Sequence, residues 1–257
     1  MQTQLRLGIS LLVLGLAAGQ AWAAPQTITG SAHHVSLLEL YTSEGCDSCP
    51  PAEEWVSRLQ QDQRVWSQLV PVTFHVDYWD NLGWKDPFDR HAYTERQQQI
   101  AGRANSLAGM VIYTPQFVLD GQDWRGWAND KPLQVDDSAE LGPLALTADG
   151  RKVTVRFSPA QPREEALETH VVLLAFGVDV AVGAGENKGA TLRHDFLVVS
   201  DTRGSLAKDK TGSYRSVVTL PPPVPVKATR YALAAWVSAR GSTTPIQASG
   251  GWLKAPP

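Results

Sequence analysis

The sequence predicts an α/β unit followed by an antiparallel, β-sandwich-like module. Three observations lead there. Between Val35 and about Gly121 the pattern alternates strand, helix, strand, helix, strand, which suits a right-handed crossover. Near residue 140 the character changes to short alternating strands separated by turns. Both cysteines of the chain, Cys46 and Cys49, fall where the first strand gives way to the first helix.

The elements follow in chain order. Arg6, the apolar run Leu7 to Ala18 and the A-x-A site Ala21-Trp22-Ala23 read as a secretory signal over residues 1–23. The mature chain is then expected to begin at Ala24, in the periplasm or secreted; a retained N-terminal anchor is the alternative. No later stretch approaches about 18 uninterrupted apolar residues, so no stable membrane span is expected after cleavage.

Residues 33–140 form the first expected domain. Val35 to Tyr41 is its first strand and Val70 to Val76 its second, with Val72, Phe74 and Val76 on one face. Between them Ala52, Trp55, Val56 and Leu59 recur at helical spacing, and Pro50 and Pro51 fit a first helical turn, whose amides have no intrahelical partner. A second helix is predicted over His91 to Ala104 and a third strand over Gln116 to Asp120, ended by Asp120-Gly121. Residues 141–257 form the second expected domain, with strands at Lys152 to Phe157, His170 to Phe176, Thr191 to Val199, Tyr214 to Leu220 and Arg230 to Val237. No internal repeat is present.

A strand followed by C-x-x-C at a helix start suits reversible thiol–disulfide chemistry. The helix N-terminus favours a thiolate, and the second cysteine resolves a mixed disulfide. A purely structural bridge is poorly motivated, because closing a loop of about four residues contributes at most about 2 kcal/mol against about 4.7 for about 100 residues. In a thioredoxin-type arrangement Cys46 is the exposed nucleophile and Cys49 the shielded resolving thiol. Asp47 opposes the dipole by disfavouring a neighbouring thiolate. Such a site also needs a cis proline, and Pro115, in Tyr113-Thr114-Pro115-Gln116-Phe117 directly before the third strand, is placed for it, with the Thr114 backbone facing the disulfide. An ordinary trans proline opening a strand is the alternative.

The runs LELYTSEGCDSCPPAE, FHVDYWDNLGWKDPF, YTERQ, VIYTPQFVLDG and GENKGATL resemble a domain-of-unknown-function family of exported bacterial proteins with a thioredoxin-like N-terminal half. The resemblance covers most of the mature chain. It implies a thioredoxin-like fold for the first domain and a thiol–disulfide activity with Cys46, Cys49 and Pro115 as the redox site. It names no substrate.

The segment His75 to Phe88 is dense in aromatics and follows a strand's C-terminal end, the edge where α/β sites form. Tyr78, Trp79 and Trp84 are placed to wall a groove beside Cys46, with packing of the loop as the expected role of most of the rings and Tyr78 and Trp79 the best candidates for substrate contact. Asp77 and Asp80 suit loop caps better than proton relays, and His75 a hydrogen-bonded structural role. Gly185-Glu186-Asn187-Lys188-Gly189 reads as a turn between strands, with docking of the second module against the redox site as the alternative.

The leading functional reading is an exported thiol–disulfide oxidoreductase. It needs no bound cofactor and no metal. It acts on protein or small thiol and disulfide substrates and exchanges electrons with a redox partner protein. Copper handling is a second class, with His33, His34, His75 and His91 as nitrogen donors, but none has ligand spacing to C-x-x-C. A non-enzymatic binding protein is a third. The formal charge of −3, less Arg6 of the signal, becomes −4 and offers no footprint for nucleic acid. No G-x-S-x-G elbow, phosphate loop or H-E-x-x-H signature supports a hydrolase.

Overall fold

The computed structural model describes residues 24–104, 111–129 and 131–255; the expected signal segment lies outside them. The chain runs β1 (Gln26–Thr29), β2 (Ser36–Thr42), α1 (Pro50–Arg58), β3 (Leu69–His75), α2 (His91–Ala104), β4 (Gln116–Leu119) and β5 (Gln122–Asp123). It continues through β6 (Leu144–Asp149), β7 (Lys152–Phe157), β8 (Leu167–Phe176), β9 (Val178–Ala181), β10 (Thr191–His194), β11 (Leu197–Ser205), β12 (Ala207–Lys208), β13 (Tyr214–Thr219), β14 (Arg230–Ala239) and β15 (Pro245–Trp252).

The expected fold class is overturned. The protein is mostly β, with 41% strand, 14% helix and three sheets, and not an α/β thioredoxin-like domain with a separate β module. The physical reason is pairing across the chain. β2 and β3 are parallel neighbours, as a crossover through α1 requires, but the far edge of β3 does not end the sheet. β11 pairs with it in parallel at Leu197 and Thr73, and β8, β14 and β15 follow antiparallel. The result is one eight-stranded sheet, β15-β14-β8-β11-β3-β2-β4-β5, built from both sides of residue 140. A five-stranded sheet, β1-β6-β7-β13-β12, and the β9-β10 hairpin complete the architecture.

Alternation explains how the large sheet is covered on both faces. In β8 and β14 the residues Val172, Leu174, Phe176, Ala232, Ala234 and Trp236 join a core with Ala52 and Val56 of α1 and Tyr93 and Ile100 of α2. Their neighbours in sequence, Val171, Leu173, Ala175, Leu233, Ala235 and Val237, join a second core with Leu144, Leu146, Val153, Val155 and Phe157 of the small sheet. Side chains of successive strand residues point to opposite faces, so one strand serves two cores. Every residue of β2 and β3 is buried.

Two buried polar features fix α2 and β8. Arg96 of α2 donates to both oxygens of Glu39 in β2, Nε to Oε2 at 2.6 Å and Nη2 to Oε1 at 2.9 Å, and Tyr41 Oη donates to Oε2 at 2.8 Å. His170 of β8 stacks on Trp236 with ring centroids 4.9 Å apart.

Removing one member of the Arg96–Glu39 pair leaves a buried charge. Arg96→Met is therefore expected to lower unfolding stability by about 3–5 kcal/mol in urea titrations, and Glu39→Leu added to it to recover part of the loss. His170 yields a pH dependence. Burial lowers its pKa to about 4, with Arg96 and Arg203 in the same direction and Glu168 opposing. Below the ordinary value of about 6.5 the unfolded chain takes up a proton that the folded chain refuses until about pH 4. Stability is therefore expected to fall by about 3 kcal/mol as pH drops through that window. His170→Gln should flatten that part of the curve in unfolding measurements at pH 7 and pH 4.5.

Candidate functional site

Cys46 and Cys49 form a disulfide with Cα atoms 5.5 Å apart. The segment is wound into turns before α1 begins: the Cys46 amide donates to Ser43 O at 3.1 Å and the Cys49 amide to Cys46 O at 3.3 Å. Cys49 is the N-cap, and Pro50 and Pro51 occupy the first turn as expected. The exposed Cys46 that the sequence suggested is corrected here, since Cys46 and Cys49 both have 0% exposure. Only Asp47 and Ser48 between them reach solvent.

The covering element is the loop between β9 and β10. Asn187 Nδ2 donates to Glu44 O and to Cys46 O, each at 2.9 Å, and the Asp47 amide donates to Glu186 Oε2 at 3.2 Å. Gly185 takes φ +76°, and a Cβ there would press within 3.3 Å of Trp84 Cβ, so the loop closes against that ring. Thus the Gly185–Gly189 motif is a turn that also docks on the disulfide segment.

Beneath the disulfide lies a buried network of ionisable groups. Glu44 precedes Cys46, and Glu53 is the fourth residue of α1. Glu53 accepts from Thr42 Oγ1 at 2.7 Å and pairs with His194 Nδ1 at the end of β10. Glu44 accepts from Trp84 Nε1 at 2.6 Å, and its amide donates to Asp86 Oδ2 at 2.8 Å. Asp86 Oδ2 also pairs with His75 Nδ1 at 2.7 Å. Burial works against the imidazolium of His194, but Glu53 and Glu44 outweigh it and push that ring up to about 10. His75 is raised in the same way, burial opposing and Asp86 prevailing. Despite burial, His194 and His75 hold Glu53 and Asp86 below their ordinary values.

The other expected site residues form an adjoining group. The Thr114–Pro115 peptide is cis. Trp79 Nε1 donates to Thr114 Oγ1 at 2.8 Å, and its Cβ lies where a Cβ on residue 45 would come within 2.9 Å, so Gly45 permits the contact. Trp79 thereby links the residue before Cys46 to the residue before Pro115. Tyr78 Oη donates to Gln97 Oε1 at 3.3 Å, and Gln97 Nε2 donates in turn to Tyr113 O at 2.7 Å. Asp77 and Asp80 hold loops: Asp77 accepts from Thr94 Oγ1 and contacts His91, and Asp80 pairs with Lys85. His75 is hydrogen-bonded as expected. Of the other histidines considered as donors, His34 is engaged with Asp136 O and His91 with Asp77.

Sequence reasoning missed Glu44, Glu53, Asp86 and His194. No spacing joins them, because they come from a loop, a helix, a second loop and a distant hairpin.

Residues 37–238 match the family described as protein of unknown function, DUF1223. The chain belongs to that family. No curated protein matches it. Among solved structures, the crystal structure of a protein from Agrobacterium tumefaciens (AGR_C_4864) is 23% identical, with a TM-score of 0.54 over 86% of this chain and 94% of that one. HBP35 of Porphyromonas gingivalis is 15% identical, with a TM-score of 0.53 over 89% of this chain and 78% of that one. At these identities the likeness concerns the fold. Among the described residues no helix is long and apolar enough to cross a membrane.

Asn187→Ala removes two hydrogen bonds of about 1 kcal/mol each, and if loop opening precedes attack it is expected to speed reduction of Cys46–Cys49 by a small thiol up to about thirtyfold. Stopped-flow thiol trapping measures this rate, and an unchanged rate would show that the loop is no barrier.

Proposed function

We propose that the family member described here is an exported thiol–disulfide exchange protein whose reactive pair is Cys46–Cys49. The observation that carries the reading is a disulfide closing a four-residue loop at a helix start, with a loop tip hydrogen-bonded to the backbone of Cys46 and Asp47 through Asn187 and Glu186. A bridge this short adds little to stability through chain entropy, whereas a helix N-terminus stabilises the thiolate it releases. A Cys46–Cys49 disulfide, together with the expected signal segment, supports an oxidising compartment, the periplasm or the exterior.

The exchange balances in two steps. With the loop displaced, a substrate thiolate attacks Cys46 Sγ; the new S–S bond forms as the Cys46–Cys49 bond breaks, and Cys49 leaves as a thiolate. A second substrate thiolate then attacks the mixed disulfide, and Cys46 leaves, so the substrate dithiol is oxidised and the protein pair reduced. The reverse sequence reduces a substrate disulfide. Trp79, hydrogen-bonded to Thr114, and its neighbour Tyr78 are the residues proposed to contact the substrate on the side of Pro115. Electrons leave or enter through a partner protein or small thiol.

Cys46→Ser is expected to abolish exchange with a glutathione or model-peptide couple, and Cys49→Ser to accumulate a mixed disulfide detectable by mass. Full exchange in Cys46→Ser overturns the assignment. So does a wild-type disulfide that lies below about −300 mV, where structural bridges fall.

A further inference from the structure

We infer that Glu53, His75 and His194, completed by Glu44, form a buried site for a divalent first-row metal ion of the zinc class. The site does not rest on the redox reading, because the disulfide supplies no ligand to it. One donor atom each from Glu53, His75 and His194 lies within 4.8 Å of the other two, and all three residues are buried. Glu44 Oε1 adds a fourth donor atom, 3.2 Å from His194 Nε2 but not aligned with it as a hydrogen bond.

Independent features point to a ligand rather than to a closed set of ion pairs. His75 Nε2 is buried without a hydrogen-bond partner, and His194 Nε2 and Glu44 Oε1 meet only each other, at 3.2 Å and out of hydrogen-bond alignment. Native interiors seldom leave such an atom unsatisfied, so the His75 nitrogen in particular requires an explanation. The surroundings of His75 also have the form of a metal-ligand support. Its Nδ1 is held by Asp86 Oδ2 at 2.7 Å, and Asp86 Oδ1 is in turn fixed by the Phe88 amide at 2.9 Å. That carboxylate–histidine arrangement orients the ring and leaves Nε2 free to coordinate. Phe88 packs edge-on against both imidazoles, with centroids 5.4 Å from His75 and 5.8 Å from His194, and makes a dry wall.

Donor chemistry selects the class. Two imidazoles with carboxylate oxygens suit zinc and its neighbours in the first row, whereas calcium and magnesium favour all-oxygen sets and Cu(I) favours thiolates. The ligands come from the turn before Cys46, from α1, from the end of β3 and from the end of β10. A bound ion would tie together the elements on either side of the disulfide.

The test uses untagged full-length protein, stripped with chelator and kept oxidised. It is loaded with Zn²⁺, desalted and analysed by atomic emission, and a second sample is loaded with Co²⁺ for absorption spectroscopy. One zinc per chain, a rise in Tm, and a cobalt spectrum with ligand-field bands but no thiolate charge transfer are expected. Zinc retention should survive in Cys46→Ser/Cys49→Ser and in the control His33→Gln. It should be lost in His194→Gln, and affinity should weaken about 10–100-fold in Asp86→Asn. Folded wild-type protein that retains no zinc overturns the inference, whether or not the variants fold. Thiolate bands, or zinc lost with the cysteines, overturn it in favour of a sulfur site.

Discussion

Burial of Glu44, Glu53, Asp86, His75 and His194 in one network is the constraint on which the region around the disulfide depends. Each charge is affordable in the interior only while its partners stay in place, and removal of one partner leaves another stranded. The network members flank the disulfide segment in sequence, Glu44 two residues before Cys46 and Glu53 four after Cys49. The segment is therefore anchored at both ends by interactions that neither the disulfide nor the helix supplies. Because His194 comes from β10, the first strands and first helix cannot complete this region alone.

The same dependence appears in the large sheet. β3 has β2 on one side and β11 on the other, and Thr73 ties it to the second half of the chain through two hydrogen bonds: its amide donates to Phe196 O at 2.9 Å, and its hydroxyl to Asp195 O at 3.3 Å. Asp195 and Phe196 interrupt what would be one continuous strand from Thr191 onward, and Phe196 adopts φ +53°. That break lets β10 turn away towards the ionic network while β11 enters the sheet. One local kink thus places a histidine in the site and a strand in the core.

Strong periodicity was legible in the sequence. The helix over His91 to Ala104 and the strand over Lys152 to Phe157 coincide with the observed elements, the strand because its apolar residues alternate with a single clear period. The strands that escaped notice are short or polar at their surface, such as Gln26–Thr29 and Gln122–Asp123, or glycine-bearing, such as Pro245–Trp252. Fold class went wrong for a different reason: period reveals a strand but not its neighbour, and nothing in Leu197 to Ser205 announces a partner more than 120 residues away. The disulfide was legible from Cys46 and Cys49, and the docking role of Gly185–Gly189 only as an alternative. The ionic network was not legible, since Glu53 sits on a helix among other acidic residues and becomes distinctive only through His194.

A single hairpin now connects the two levels of the site. The tip between β9 and β10 holds Glu186 and Asn187 over the disulfide segment, while β10 ends at His194 inside the network. These contacts differ in strength. Three hydrogen bonds at the tip, partly open to solvent, are worth about 1 kcal/mol each, whereas breaking a buried ion pair costs about 3–5 kcal/mol. The tip should therefore yield before β10 does. Opening confined to residues 183–190 would uncover Cys46 and leave His194 in place, so access to sulfur and integrity of the site beneath it need not be traded against each other. The glycines at 185 and 189, both at positive φ, lie on either side of the two contacting residues and are suited to absorb the backbone change.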